Sequence, residues 1–343
     1  MTGVQIPRLI LGHLPFLGES YQGTSKNREY ARRFSNIENT IRILRKAVEE
    51  YAITVLGAAP ANENELAGRL FEAVRETSRR AGRELALIPC LRIPLTIDGK
   101  GIDDYRRWLS YYDVERMVEG KILKRYLDDP ILQCREDWKE KLFHASVHSA
   151  PYSTAEIERL CIDYGTVRSR LDSLRGFDIL FVEPGSETDF LVTASRLDLL
   201  DGLVEWIRRT YRYEVILGTH HAGSTIPILE ESGIRFQGYV TPINRLGVMM
   251  FPTQRLAEEA VRNAKKPVIA IKPLAGGRIP PKEAFRYVYE IAEVDSCMVG
   301  VGTEEELDTD LKAARDVLAS RWNSKGGPQK NRHANRCSRP AGD

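Results

Sequence analysis

The sequence predicts an α/β protein in which eight parallel strands, each followed by a helix, close into a single (β/α)8 barrel. Short runs of β-branched and other apolar residues alternate with amphipathic helices along most of the chain. Near the end, residues 267–277 and 297–302 form two consecutive units in which a strand runs into a glycine-containing turn. The last two units of such barrels often hold a phosphate. The length of 343 residues is one that α/β barrels often reach as a single domain.

Composition narrows the possible classes of protein. A hydrophobic content of 42% is sufficient for a large core, and a net charge of +2 argues against dedicated nucleic-acid binding. No apolar stretch reaches about 18 residues, so no contact with a membrane is expected. The N-terminus lacks a basic segment followed by an apolar run, so we expect no export. The five scattered cysteines contain no C-x-x-C pair, which predicts neither disulfides nor a zinc knuckle and favours a cytoplasmic location. These patterns leave the oligomeric state open.

Eight segments have the character of buried strands, and several of them end at a glycine or a polar residue. β-branched residues in short runs favour strands, whereas a helix needs a longer amphipathic pattern. The predicted strands are residues 6–12, 53–57, 85–90, 177–183, 213–218, 234–241, 267–271 and 297–302.

Helical spacing of apolar residues occupies several of the segments between these strands. Residues 36–50 carry such a pattern, and residues 65–79 and 194–209 are also predicted helices. A capping box at Ser153 and Glu156 predicts one long helix that runs to residue 174. A second capping box, at Thr303 and Glu306, predicts a helix after the last strand.

Residues 98–151 depart from this alternation because they are dense in charged and aromatic residues. We predict one barrel over residues 1–322, in which residues 98–151 form a helical insertion after the third strand. Loops that follow barrel strands lie on the active face, so the insertion is expected to cover the C-terminal mouth. The alternative is a solvated helical bulge without a role in ligand binding. Residues 323–343 have almost no apolar residues and are predicted to be disordered.

Several segments resemble the aldo-keto reductases and occur in the order that this family has. Residues 9–12 with the later Gly18 resemble the first strand of that family, and residues 59–68 are similar to the segment after its second strand. Residues 170–180 resemble its run into the fourth strand. Residues 272–277 and 302–314 resemble the two turns that hold its cofactor phosphates. The resemblance covers most of residues 6–320 apart from the insertion, and it implies a barrel of aldo-keto reductase type.

The resemblance implies an oxidoreductase that reduces carbonyl groups with a tyrosine acid, assisted by an aspartate, a lysine and a histidine. In this sequence the aspartate position falls on Gly57 and the tyrosine position on Asn62. The lysine position falls near Cys90 and Arg92, and the histidine position falls on Glu183. Because an amide cannot supply the proton that a developing alkoxide needs, we expect ordinary carbonyl reductase activity to be absent.

The same resemblance implies where a nicotinamide cofactor would bind. The candidate cofactor-binding residues are Gly276, Gly277, Arg278, Gly302, Thr303 and Asn244. Glycine turns leave backbone N–H groups free to meet a phosphate, although a glycine pair also serves ordinary strand-to-helix turns. Three glutamates after Thr303 disfavour a 2′-phosphate, so NADP is disfavoured, whereas NAD and no dinucleotide at all both remain open. The nicotinamide-holding pair falls on His220–His221, and the stacking aromatic falls on Ile271.

A second set of polar residues lies at predicted strand ends and should approach the barrel mouth together. The set is His13, Cys90, Arg92, Glu183, His220, His221, Asn244 and Lys272. Glu183 and Lys272 suit an acid–base pair, with the lysine pKa lowered inside an apolar barrel. Alternatively, His13, Glu183 and His220 hold a divalent metal such as zinc or manganese. A third interpretation is an ion pair and hydrogen bonds without any chemistry.

These observations predict a divergent small-molecule enzyme of oxidoreductase ancestry, with altered chemistry at the barrel mouth. The candidate catalytic residues are Glu183, Lys272, His13 and His220. Two alternatives stay open: a metal-dependent lyase or hydrolase, and a barrel that binds a small-molecule ligand without catalysis.

Overall fold

The computed structural model describes residues 5–324, in which strands and helices alternate. The strands are β1 Leu9–Gly12, β2 Val55–Ala58, β3 Ala86–Leu91, β4 Leu95–Ile97, β5 Lys100–Gly101, β6 Leu160–Ile162, β7 Glu183–Pro184, β8 Leu217–Gly218, β9 Tyr239–Pro242, β10 Val268–Ile271 and β11 Ser296–Gly300. The helices are α1 Thr24–Phe34, α2 Ile37–Tyr51, α3 Glu65–Ala81, α4 Asp104–Glu115, α5 Ile122–Asp128, α6 Trp138–His148, α7 Thr154–Glu158, α8 Tyr164–Asp172, α9 Glu187–Thr193, α10 Leu197–Tyr211, α11 Ala222–Glu231, α12 Gln254–Asn263, α13 Pro281–Arg286 and α14 Glu304–Ser324.

Eight of the strands form one sheet in the order β7-β3-β2-β1-β11-β10-β9-β8, and neighbouring strands run parallel. A parallel bridge between Val182 and Val215 joins the two edges of the sheet just before β7 and β8, so the barrel is nearly closed. Inside it, eight strand segments each contribute an apolar side chain to one buried cluster: Ile10, Val55, Ile88, Phe181, Ile216, Val240, Ile269 and Met298. The predicted (β/α)8 fold is therefore confirmed.

The fourth barrel strand is much shorter than predicted. Only Glu183 and Pro184 form regular pairs, with β3, while Ile179 makes an isolated bridge to Leu87. The predicted long helix after residue 153 is also wrong. Its capping box is present, but α7 ends at Glu158, because the chain then pairs as β6 against β4.

The helical insertion after the third barrel strand is present as α4, α5 and α6. Some of its contacts lie with loops that follow β9 and β10. The Asp129 carboxylate accepts the Met249 N–H at 2.7 Å, and Arg278 donates to the Pro130 carbonyl oxygen at 3.2 Å. These contacts join the insertion to loops that follow two barrel strands, and its covering of the mouth stays a prediction.

The stretch between β1 and α2 also contains structure that the sequence patterns did not predict. A 3₁₀ turn, Leu14–Leu17, is followed by α1, whose Tyr30 and Phe34 are buried. This segment reaches the candidate phosphate turns, as described below.

Among residues 5–324 no helix is both long enough and apolar enough to cross a bilayer. Cys90, Cys134, Cys161 and Cys297 carry free thiols. The predicted disordered tail, apart from its first two residues, lies outside the described residues.

Candidate active site

Glu183 lies at the carboxyl end of its barrel strand, and the barrel makes space for its carboxylate with a glycine. A Cβ on Gly218, in the neighbouring strand β8, would stand 2.6 Å from the Glu183 Oε1 atom. Only 8% of Glu183 is exposed. Burial raises the pKa of Glu183 to about 8, although the nearby Lys272 charge and a hydrogen bond from Cys90 oppose this shift. The carboxyl group can therefore exchange a proton near neutral pH.

Lys272 follows β10 and enters the same space. Its φ of 55° lies in the left-handed region, which a non-glycine residue adopts at an energetic cost. The Nζ atom lies 3.3 Å from the His220 Nε2 atom and 5.1 Å from the centre of the Tyr21 ring. Burial lowers the pKa of Lys272 to about 8, against the opposing effects of Glu183, Cys90 and other acidic groups. A large neutral fraction of this amine is thus present at mildly alkaline pH.

His13 follows β1 and takes the space that a side chain at position 57 would fill. A Cβ on Gly57 would stand 2.8 Å from the His13 Nδ1 atom. That nitrogen is buried and has no hydrogen-bond partner in the described part of the chain. Burial, and secondarily the Lys272 charge, lower the pKa of His13 to about 4, so its imidazole is neutral. The position that the resemblance assigns to an aspartate therefore contributes room for a neutral histidine.

His220 and His221 are fixed by a buried carboxylate that the sequence patterns did not identify. Asp189, on α9, accepts the backbone N–H of His220 at 2.8 Å and that of His221 at 3.3 Å. It also accepts the hydroxyl groups of Thr219 and Thr225. Burial, and secondarily Lys272, lower the pKa of His220 well below its ordinary value, so His220 is a neutral acceptor.

The two histidines have different surroundings, because the chain bends at His220 and His221 precedes the first residue of α11. His221 Nδ1 lies 2.8 Å from the carboxylate of Glu115, at the end of α4, and its ring lies 4.1 Å from that of Tyr111. Burial opposes protonation, but the charge and hydrogen bond of Glu115, together with the Asp189 charge, outweigh it and raise the pKa of His221. His221 thus attaches the insertion to the barrel, whereas His220 contacts Lys272.

Two other residues near Lys272 were missed. Tyr21 follows β1, and burial raises the pKa of its hydroxyl group. Asp129 lies in the insertion, where burial raises its pKa against hydrogen bonds from Met249, Leu132 and Ile131. The only sequence signal at this place was the break in helical pattern before Pro130.

The glycine turn after β10 is filled by the loop after β1. A Cβ on Gly276 would stand 2.8 Å from the Tyr21 carbonyl oxygen, and one on Gly277 would stand 3.1 Å from the Gln22 amide nitrogen. The Arg278 guanidinium donates to the carbonyl oxygens of Tyr21 at 3.0 Å and Ala275 at 2.8 Å, besides Pro130. The loop after β1 thus fills the space beside the two glycines, and the Arg278 guanidinium already donates its hydrogen bonds to carbonyl oxygens of the chain. A phosphate at this turn would need both that space and those donors.

The turn after β11 is also filled from within. The Glu306 carboxylate accepts the Gly302 N–H at 2.6 Å, while the Thr303 hydroxyl oxygen accepts the Glu306 N–H at 3.0 Å. The Tyr30 ring covers the turn so closely that a Cβ on Gly302 would stand 2.3 Å from it. A carboxylate of the chain thus lies where a phosphate would bind, at a helix N-terminus.

Two asparagines from the resemblance have partners within the protein. Asn244 is fully buried, and its amide group donates to the Val248 carbonyl oxygen at 2.9 Å and accepts the Val248 N–H at 3.0 Å. Asn62, which holds the tyrosine position, is exposed and donates to Ser169 on α8 at 3.1 Å. A ligand role of Asn244 stays a prediction that these bonds do not support.

The residues present do not fit a dinucleotide held at the two turns, because protein atoms fill both. The alternative metal set is not supported either: among residues 5–324, no three His, Cys, Asp or Glu side chains are grouped as metal ligands. What the mouth does bring together is Glu183, Lys272, His13, His220 and Cys90. The Arg92 side chain, in contrast, is exposed.

The second filled turn has a consequence for stability. Asp310 lies one turn after Glu306 on α14, is 6% exposed, and has a pKa raised to about 7 by burial and by Glu306. The folded state holds the Asp310 proton more tightly than the unfolded chain does. The stabilisation of the fold by this protonated carboxyl group is therefore fully present below about pH 4 and is lost as the pH rises through 7.

We expect Asp310→Asn to raise the free energy of unfolding by about 1–3 kcal/mol at pH 8 and to have no such effect at pH 4. Urea denaturation at both pH values is the measurement, with Asp316→Asn, exposed on the same helix, as the control. A gain of equal size at both pH values would contradict this account.

The fold is similar to those of several solved structures. One of them is a proposed aldo-keto reductase from Pseudomonas aeruginosa, 16% identical, with 91% of each chain covered and a TM-score of 0.50. At this identity the likeness shows the fold alone. No protein-family model matches the chain. No curated protein matches it either. The chain is thus similar to an aldo-keto reductase-type barrel.

Proposed function

We propose that this protein is a small-molecule enzyme of oxidoreductase ancestry that performs redox-neutral acid–base chemistry with Glu183 and Lys272. The observation that carries the proposal is that Glu183 and Lys272 lie near each other with pKa values close to neutral pH. Glu183 is buried and Lys272 is partly buried at the mouth, and both pKa values are driven to about 8 from opposite directions. A general acid and base act best when their pKa values lie near the working pH.

The separation of the two groups supports this role. Glu183 and Lys272 interact electrostatically, but within residues 5–324 no direct ion pair joins them. A small molecule with a carbonyl group can accept a hydrogen bond from the Lys272 ammonium while Glu183 removes a proton from the adjacent carbon. Lys272 then stabilises the negative charge that develops on the carbonyl oxygen. Neutral His220 keeps the amine oriented through its Nε2 atom.

Loss of the inherited reduction follows from the same site. The aspartate and tyrosine positions are Gly57 and Asn62, and Asn62 is bonded to α8. The chain fills both phosphate turns, so the proposed reaction uses no nicotinamide cofactor. It also uses no metal. The substrate is a small molecule, and the location that we propose is the cytoplasm.

Hydrogen–deuterium exchange provides a test that does not require the natural substrate. Small aldehydes, ketones and oxo acids are incubated with the protein in D2O, and ¹H NMR measures the loss of their α-proton signals. We expect the protein to catalyse this exchange for some members of the panel. Exchange should proceed without NADH or NADPH, and neither cofactor should be oxidised by the same compounds at about 1 s⁻¹ or faster. Carbonyl reduction at such rates, or a whole panel without exchange, would contradict the proposed function.

A further inference from the structure

We infer that Lys272 forms a covalent imine with the carbonyl carbon of an aldehyde or ketone substrate. This inference rests on the proposed function, because it names the bond formed and the substrate class at the same site. A lysine amine in a desolvated environment is a recognised nucleophile towards carbonyl groups.

The surroundings of the amine support this role. Nζ is held by the His220 Nε2 atom at 3.3 Å and lies over the Tyr21 ring. No carboxylate oxygen of the described chain lies within ion-pair distance of Nζ, in contrast to Lys46 and Lys124, which pair with aspartates at 2.6 Å and 2.5 Å. A carboxylate partner would hold the proton on the amine, whereas a neutral imidazole carries no charge that would do so. The amine is therefore able to become nucleophilic.

The backbone at this lysine is strained. Its φ of 55° requires a conformation that glycine adopts more easily, and such strain concentrates at functional sites. Although burial dominates its pKa, the side chain remains partly exposed. A small carbonyl compound can therefore reach it from the mouth.

Lys272, His220 and Glu183 can together supply every proton transfer that imine formation needs. Burial leaves a large fraction of Lys272 as the neutral amine near pH 8, and this amine attacks the carbonyl carbon as the carbon–oxygen π bond breaks. The nitrogen passes one of its protons through the His220 Nε2 atom to the oxygen, which becomes the hydroxyl group of a carbinolamine. The Glu183 carboxyl group, protonated in a large fraction at pH 7–8, then donates a proton to this hydroxyl group, which leaves as water. The product is a protonated imine, and no oxidant or reductant takes part.

Reductive trapping tests the inference. The full chain is incubated with acetaldehyde, pyruvate or dihydroxyacetone in the presence of sodium cyanoborohydride, and modified lysines are identified by peptide mass spectrometry. We expect Lys272 to be modified at least about 10-fold faster than Lys266, which is partly buried but close to Glu230. Lys272→Arg keeps the charge and should abolish the fast modification. His220→Gln keeps a hydrogen-bonding side chain but should slow it, because an amide does not accept the proton.

The outcomes separate this inference from the proposed function. Equal modification of Lys272 and Lys266, together with α-proton exchange that survives in Lys272→Arg, would overturn the imine and leave the acid–base proposal standing. Fast trapping at Lys272, with exchange lost in Lys272→Arg, would support both. Absence of both trapping and exchange would overturn both. Circular dichroism of each variant excludes loss of fold as the reason.

Discussion

Glu183→Gln is expected to keep the fold and to lower the rate of α-proton exchange by about 10²–10⁴-fold, the usual contribution of a general base. The amide has the same shape as the carboxyl group and fits the space beside Gly218, but it cannot take up a proton. Glu231→Gln, at an exposed position at the end of α11, is the matched control and should exchange at the wild-type rate.

The rate of α-proton exchange by the wild-type protein should depend on pH in a way that tests the roles of Glu183 and Lys272. Glu183 must be ionised to accept a proton, and Lys272 must be protonated to polarise the carbonyl group. Because both pKa values lie at about 8, the rate should pass through a narrow maximum near pH 8. In Glu183→Gln the rise on the acid side should disappear. A wild-type rate that is constant from pH 6 to 10, or a Glu183→Gln variant with full activity, would contradict the assignment.

The largest loss of stability is expected for Asp189→Ala. This fully buried carboxylate accepts hydrogen bonds from two backbone N–H groups and from two threonine hydroxyl groups. Removal leaves all four donors without their partner in a site that water does not reach. Each unsatisfied buried donor costs about 1–3 kcal/mol, and partial relaxation reduces the sum, so we expect a loss of about 3–5 kcal/mol.

Urea denaturation measures this loss, and Asp198→Ala is its control. Asp198 forms an ion pair with Arg196 at 2.8 Å, but its side chain is 63% exposed, so its removal should cost less than about 1 kcal/mol. The Asp189 variant should also lose fast trapping at Lys272, because the His220 backbone is no longer fixed. Similar stability losses in the two variants would show that Asp189 does not organise this loop.

The barrel itself was predictable from the sequence because strands and helices leave local, periodic patterns. The buried run of β10 and the glycines after it indicate a strand and a turn without reference to the rest of the chain. Likewise, the positions of Glu183 and Lys272 at the ends of strands follow from short stretches of sequence. Parallel strands in a closed sheet then bring their carboxyl ends to one side. The errors occurred where pairing between distant residues overrode a local pattern, as in β6, which interrupts the predicted long helix to pair with β4.

Only the tertiary structure decided what fills the phosphate turns and what holds the histidines. Tyr30 covers Gly302 from a helix 272 positions earlier in the chain, and Glu115 reaches His221 across 106 positions. Glycine at a turn is equally compatible with a bound phosphate and with a neighbouring ring or carboxylate, because it specifies only backbone freedom and space. The same applies to Glu183 and Lys272, whose pKa values depend on burial and on each other's charge. Sequence periodicity specifies which segments form strands and helices, whereas long-range packing determines which atoms meet at the mouth and in what ionisation state.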